Sequence, residues 1–170
     1  MHGEKAGDIM DIEFIRVNPK MFDECAEVIR NSFITVADDF KLTKVNAPTN
    51  PAFIESDAIR LMYDKQTEMY AVTESSVTIG FIAIEKADDG IYYMEKLAVL
   101  PSCRHKGYGK AIMDFVFDHV KGSGGKKVSI GIINENEILK NWYINYGFKE
   151  TGTKVFKHLP FTVCFMEKYI

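Results

Sequence analysis

Apolar residues recur along this chain at two different intervals, and the switches between the intervals mark out its elements. Ile12-Glu13-Phe14-Ile15-Arg16-Val17 alternates at roughly period two, which predicts a half-buried strand, and Asn18-Pro19 supplies a helix start. Phe22, Ala26, Ile29 and Phe33 then share one helical face. Residues 35–52 keep no steady period and carry Asp38-Asp39, Pro48 and Pro51, so a long loop is expected before a second helix built on Ile54, Ala58, Leu61 and Met62. A loop of that length inside a compact domain is often functional. Strands are expected over 69–73, 77–86 and 91–99, with Asp88-Asp89-Gly90 turning the last two into a hairpin, the whole forming an antiparallel meander.

The period then returns to helical. Tyr108, Ala111, Ile112, Phe115 and Val116 recur at helical spacing, and Gly122-Ser123-Gly124-Gly125 ends that helix. Residues 127–133 read as a strand, parallel to its predecessor through an ordinary strand-helix-strand crossover. A helix over 136–146 stops at Gly147, and strands over 148–156 and 162–169 flank His158-Leu159-Pro160. The order β-α-α-β-β-β-α-β-α-β-β predicts an α/β fold with a mixed sheet of about seven strands, about four helices and no internal repeat.

Composition narrows the class. The 170 residues are 46% hydrophobic and 26% charged with a formal net charge of -3, the profile of an ordinary globular protein and not of a disordered chain or one that coats nucleic acid. No nucleic-acid partner is expected. Residues 1–10 read as a loose polar leader ahead of a single domain over 11–170, with no apolar stretch long enough to cross a bilayer, so no membrane partner is expected either. Cys25, Cys103 and Cys164 are odd in number and lack C-x-x-C spacing, which predicts neither a disulfide framework nor a zinc site and points to a reducing cytoplasm. His119 and His158 have no metal-ligand partners at useful spacing, so no metal is expected, and both are assigned surface or structural roles.

The candidate chemistry lies where the strand ending Leu97-Ala98-Val99-Leu100-Pro101 meets Ser102-Cys103-Arg104-His105-Lys106-Gly107-Tyr108-Gly109-Lys110. A strand that turns sharply into a helix presents unpaired N–H groups and the positive dipole end at one spot, which favours an anion. Gly107 and Gly109 allow close backbone approach, and Arg104, Lys106 and Lys110 add charge, so a pyrophosphate is the natural ligand. P-loop and dinucleotide patterns both fail here, since Ile112 stands where the third glycine of the latter belongs.

The pattern Arg104-x-x-Gly107-x-Gly109 after such a strand resembles the acetyl-CoA signature of the GNAT superfamily of N-acetyltransferases, (Gln/Arg)-x-x-Gly-x-(Gly/Ala). Asn136, Tyr143, Gly147 and Phe148 match a second block of that family at its own separations, with Leu139 where alanine is common. The element order is similar to the GNAT fold from Ile12 to Tyr169. The resemblance implies an acetyl-CoA-dependent enzyme that transfers acetyl directly to a primary amine of a small molecule or peptide. A non-catalytic acyl-CoA-binding regulatory module is the alternative. It also implies that backbone groups of Leu97, Ala98 and Val99 hold the pantetheine arm and polarise the carbonyl, while Arg104, His105, Lys106, Gly107, Tyr108, Gly109 and Lys110 clasp the pyrophosphate.

Three further roles follow, those of Tyr143 and Asn136 from the resemblance and that of Glu95 from its place on the strand. Tyr143 stands at the position of the thiolate-protonating acid, with Tyr146 competing for that role. Glu95 is the candidate base for the amine, on one strand face with Tyr93 and Leu97 unless a bulge intervenes. Asn136 is a cofactor contact or a helix N-cap, with Asn134 competing for either part. Trp142 is assigned to core packing, and Cys103 lacks the paired base that a covalent route would need. The acceptor cleft is expected between residues 35–52 and 157–162, where Asp38, Asp39, Glu55 and Asp57 favour a cationic amine. Exposed sheet edges leave a homodimer open.

Overall fold

A computed structural model describes residues 11–170. The polar leader read at residues 1–10 lies outside the described residues. The chain runs β1 (Ile12–Arg16), α1 (Phe22–Asp39), α2 (Ser56–Asp64), β2 (Glu68–Glu74), β3 (Val77–Lys86), β4 (Ile91–Val99), α3 (Tyr108–Gly122), β5 (Lys127–Ile133), α4 (Glu137–Tyr146), β6 (Lys149–Val155) and β7 (Thr162–Tyr169). The predicted order and the mixed sheet of seven strands are both present, with spatial order β1-β2-β3-β4-β5-β7-β6. The meander β2-β3-β4 is antiparallel, and β5 lies parallel to β4.

One boundary and one buried face differ from the sequence reading. α1 continues through Asp39, because Phe33 and Ala37 extend the apolar stripe of Ala26 and Ile29 while Asp38 and Asp39 sit on its solvent side. In α2 the buried residue is Ile59, while Ala58 and Leu61, both expected inward, are exposed, Leu61 at 56%. The connection between these helices therefore begins at Phe40, and it has a small core of its own. Leu42, Ala47 and Ala52 join Ala37, pack against Phe33, Phe40 and Phe53, and reach Ile133 at the end of β5 and Phe161 ahead of β7. Asn50 fixes its last turn by accepting the Ala52 N–H at 3.0 Å.

Over β2, β3 and β4 the sheet is covered on both faces, while β6 is exposed throughout. α1 and α2 cover Met69, Ala71, Phe81, Ala83 and Ala98. On the other face Ile112, Met113, Val116 and Val120 of α3, with Tyr143 of α4 and Phe148, cover Val72, Ile82, Tyr92, Met94, Val128, Ile130 and Met166. Each fully buried aliphatic or aromatic side chain here contributes about 1.5–3 kcal/mol.

Two irregularities in β4 open the sheet near its middle. It pairs with β5 only from Ile91↔Lys127 to Tyr93↔Ser129, whereas β5 stays paired with β7 as far as Ile133↔Val163. Beyond Tyr93 and Ser129 the two parallel strands therefore diverge into a wedge. Against β3, Ala83 faces Glu95 and Phe81 faces Ala98, so Lys96 and Leu97 together oppose the single residue Ile82, a β-bulge in which Lys96 has φ 54. Beyond the bulge Gly80 pairs with Val99, and a Cβ on Gly80 would lie 2.5 Å from the Ala98 carbonyl oxygen.

Candidate active site

The start of α3 is built as an anion pole. After a short 3-10 turn over Pro101–Cys103, His105 (φ 61) and Gly107 (φ 89) take left-handed conformations on either side of Lys106, a backbone alternation that turns N–H groups toward one concavity. Gly107 caps the helix without any side-chain hydrogen bond, and the first backbone bond runs from the Ala111 N–H to the Gly107 carbonyl at 3.1 Å. The N–H groups of Tyr108, Gly109 and Lys110 are thus left without intrahelical acceptors. The two glycines have different tasks. Gly107 supplies the positive φ, whereas a Cβ on Gly109 would lie 3.1 Å from Cζ2 of Trp142, so Gly109 lets the α4 indole lie against the start of α3.

The basic side chains grouped together in the sequence separate in space. His105, Lys106 and Lys110 are exposed around the pole, Lys110 being paired with Asp114 at 2.8 Å. The Arg104 guanidinium turns away toward α1. Its Nε donates to the Val99 carbonyl at 3.3 Å, Nη1 to Thr35 Oγ1 at 2.9 Å, and Nη2 to the Ser32 carbonyl. Arg104 therefore contributes backbone to the turn, and its side chain fastens the turn to α1.

Tyr108 is also engaged elsewhere. Its hydroxyl donates to Glu74 at the end of β2, and that hydrogen bond, ahead of burial, pushes the phenol up to about 12. A folded-state pKa above the unfolded value of about 10 means the contribution is complete below about pH 10 and is lost as pH rises toward about 12. Tyr108→Phe is expected to cost about 1–2 kcal/mol at neutral pH and to flatten the alkaline decline in stability, read from urea unfolding at a series of pH values.

The wedge holds the other candidates. The bulge intervenes in the predicted alternation: Glu95 and Ala98 face the α1/α2 side, while Leu97 and Val99 pack with the α3/α4 core. Glu95 lines a cleft of about 420 Å³ with Tyr93, Ser129, Gly131 and Phe165. Glu167, on the same cleft, is hydrogen-bonded to Lys127 at 2.7 Å, whereas Glu95 has a looser ion pair with Lys96 Nζ at 3.6 Å.

Tyr143 lies in the α3/α4 core among Tyr108, Ile112 and the partly buried Leu97 and Val99, with Trp142 and Phe148 edge-on at 5.0 and 5.4 Å. Burial holds its phenol well above the ordinary tyrosine range, so it keeps its proton at neutral pH. Tyr146 is a strut: its hydroxyl donates to Asp114 at 2.5 Å and its carbonyl accepts from Lys168 at 2.9 Å, joining α4 to α3 and β7. Asn136 caps α4 by accepting the Leu139 N–H at 3.2 Å, and Asn134 accepts from Lys140. Cys103 is half-buried against the α3/α4 core. His119 contacts Glu68, and the exposed His158 lies edge-on to Phe156.

A family model described as an acetyltransferase (GNAT) domain matches residues 36–169. Curated relatives include an uncharacterised N-acetyltransferase of Mycobacterium bovis and one of Mycobacterium tuberculosis, each 28% identical over 79 residues, 46% of this chain and 51% of the relative. The chain thus spans about half the length of the curated relatives it matches. Among solved structures, the ribosomal-protein-S18-alanine N-acetyltransferase of Escherichia coli superposes with a TM-score of 0.74 at 11% identity, over 94% of each chain. The PaiA N-acetyltransferase of Thermoplasma acidophilum, solved in complex with coenzyme A, gives 0.73 at 19% identity, over 95% of this chain and 100% of that one. At these identities the likeness is one of fold.

Proposed function

The chain belongs to the GNAT acetyltransferase family, and from that premise we propose that it is an acetyl-CoA-dependent N-acetyltransferase acting by direct attack of a primary amine in a ternary complex. One observation carries the reading: the β4/β5 wedge adjoins the uncapped, left-handed start of α3, so a strand-like slot leads into an anion pole. A carrier with amides along an arm and a pyrophosphate at one end fits both parts. The coenzyme A bound by the Thermoplasma acidophilum protein supports the same assignment.

Acetyl-CoA supplies an activated thioester. The N–H groups of residues 105–110 hold the pyrophosphate, helped by the charges of Lys106 and Lys110. Backbone of Leu97, Ala98 and Val99 lines the arm, and donors freed by the bulge polarise the carbonyl as negative charge grows on its oxygen. Glu95, on the open side of the wedge, takes the proton of the incoming amine directly or through water, and Tyr143, neutral in its core site, gives a proton to the departing sulfur. Asn136 holds the start of α4, and through it the rail on which Tyr143 sits.

The acceptor is a small-molecule or peptide amine that enters between the connection beginning at Phe40 and the β6–β7 crossover. Glu55 is engaged by Arg30 at 3.6 Å, which leaves Asp38, Asp39 and Asp57 to favour a cation. We place the protein in the cytoplasm, a reading supported by three free cysteines. No helix among the described residues is long and apolar enough to cross a membrane.

Isothermal titration with acetyl-CoA, followed by thiol release across a panel of primary amines, tests the proposal. Binding with thiol release that depends on the amine is expected. No binding of acetyl-CoA or coenzyme A would overturn the reading, and binding without release on any amine would leave a non-catalytic acyl-CoA-binding module.

A further inference from the structure

The bulge in β4 is made by an unusual residue. Of the non-glycine residues at positive φ among those described, Lys41, Gln66, Ser75, Ser76, Asp89 and His105 lie in turns or loops, and Lys96 alone lies inside a strand. Positive φ costs a β-carbon-bearing residue about 1 kcal/mol or more, and glycine would meet the geometry without that cost. A strained lysine next in sequence to Glu95, which lines the cleft, calls for a reason in its side chain.

That side chain is only 23% exposed, where lysine is ordinarily solvated. Other partly covered lysines are firmly bonded: Lys127 to Glu167 at 2.7 Å, Lys140 to Asn134 at 2.5 Å and Lys168 to the Tyr146 carbonyl at 2.9 Å. Lys96 has only the 3.6 Å ion pair with Glu95, beyond hydrogen-bond distance. A primary amine is therefore parked beside the carboxylate that is to deprotonate the acceptor, next to the backbone that is to polarise the acetyl carbonyl.

We propose that Lys96 is an internal acetyl acceptor, modified in cis by bound acetyl-CoA when no outside amine fills the cleft. This rests on the acetyltransferase reading. The balance is that of the main reaction: a bond forms between Lys96 Nζ and the acetyl carbon, and the carbon–sulfur bond breaks. The protons shed by the ammonium pass to Glu95 and solvent, and the sulfur takes one proton and leaves as coenzyme A thiol. The product is a neutral amide that no longer pairs with Glu95.

The test is intact mass and peptide mapping of the full-length protein after incubation with acetyl-CoA alone. One acetyl group on Lys96 is expected, appearing at a rate that saturates with acetyl-CoA and is first order in protein. A saturating amine acceptor, once found by thiol release, is expected to suppress it. Lys96→Arg is expected to lack the modification, and Glu95→Gln to slow it about tenfold or more. An unmodified Lys96 in protein that binds acetyl-CoA and releases thiol on an amine overturns this inference and leaves the acetyltransferase reading intact. Acetylation spread over exposed lysines without saturation, or a rate second order in protein, overturns it equally. Failure to bind acetyl-CoA overturns the reading beneath it.

Discussion

Tyr143→Phe is expected to lower kcat about a hundredfold or more while leaving the affinity for acetyl-CoA unchanged, the split that marks loss of a proton donor and not of a binding contact. The substitution removes one oxygen and keeps the ring, so the edge-on contacts with Trp142 and Phe148 survive and the fold should hold. Titration calorimetry with acetyl-CoA and steady-state thiol release measure the two halves separately. The pH profile supplies a further sign. Burial raises the Tyr143 phenol above its ordinary value, so the acid form persists through about pH 10 and Tyr143 adds no fall in kcat below that point. Tyr146→Phe is the contrast: it breaks the bond to Asp114 and should cost stability with a small change in kcat. If Tyr146→Phe stopped turnover and Tyr143→Phe did not, the roles given to the two tyrosines would have to be exchanged.

The second large effect is expected at a glycine of β3 that backs the proposed rail and carries no reacting group. In Gly80→Ala the new carbon would lie 2.5 Å from the Ala98 carbonyl oxygen, a backbone atom that cannot swing aside. β4 must shift beyond its bulge, which costs about 1–3 kcal/mol of stability, the usual range for overpacking. The same shift moves the backbone rail at Ala98 and Val99, and acetyl-CoA affinity should fall about tenfold, equivalent to about 1.4 kcal/mol. Thermal unfolding and titration calorimetry read the two losses. Gly152→Ala, where a Cβ meets nothing within 4 Å, is the control and should bind acetyl-CoA as the wild type does. Equal behaviour of the two variants would show that the close approach at Gly80 does not set the position of the rail.

Most of the element order was legible because the apolar intervals change cleanly, and because Gly122–Gly125 and Gly147 punctuate the helices they end. What escaped the sequence has identifiable physical causes. The bulge falls inside the strand over 91–99 without a glycine or proline to announce it, because a lysine carries the left-handed turn. This is why Leu97 lies on the opposite face from Glu95. The Asp38-Asp39 pair reads as part of a loop over 35–52, but charge on the solvent face of a turn is compatible with a helix, and Ala37 carries the stripe onward. The destination of the Arg104 side chain was invisible because Ser32 and Thr35 lie in a distant helix. A buried polar side chain on α1 with a free hydroxyl would be such a signal, but the Ser32 hydroxyl already donates to the Val28 carbonyl at 2.6 Å, and Arg104 reaches the Ser32 backbone carbonyl instead. Glu74 gave no such signal, and its bond to Tyr108 emerges only when β2 and α3 are placed together.

The wedge has a mechanical consequence. β4 and β5 are joined by three residue pairs, those of Ile91, Tyr92 and Tyr93, so the sheet is two half-sheets fastened at one end like the covers of a book. On one side stands β1-β2-β3-β4, and on the other β5-β7-β6. On the proposed reading, acetyl-CoA laid along the opening takes the place of a strand there, and it supplies between the half-sheets the cohesion that the polypeptide omits. Rigidity in this molecule is thereby completed from outside, each time the slot is filled, and relaxed when it empties.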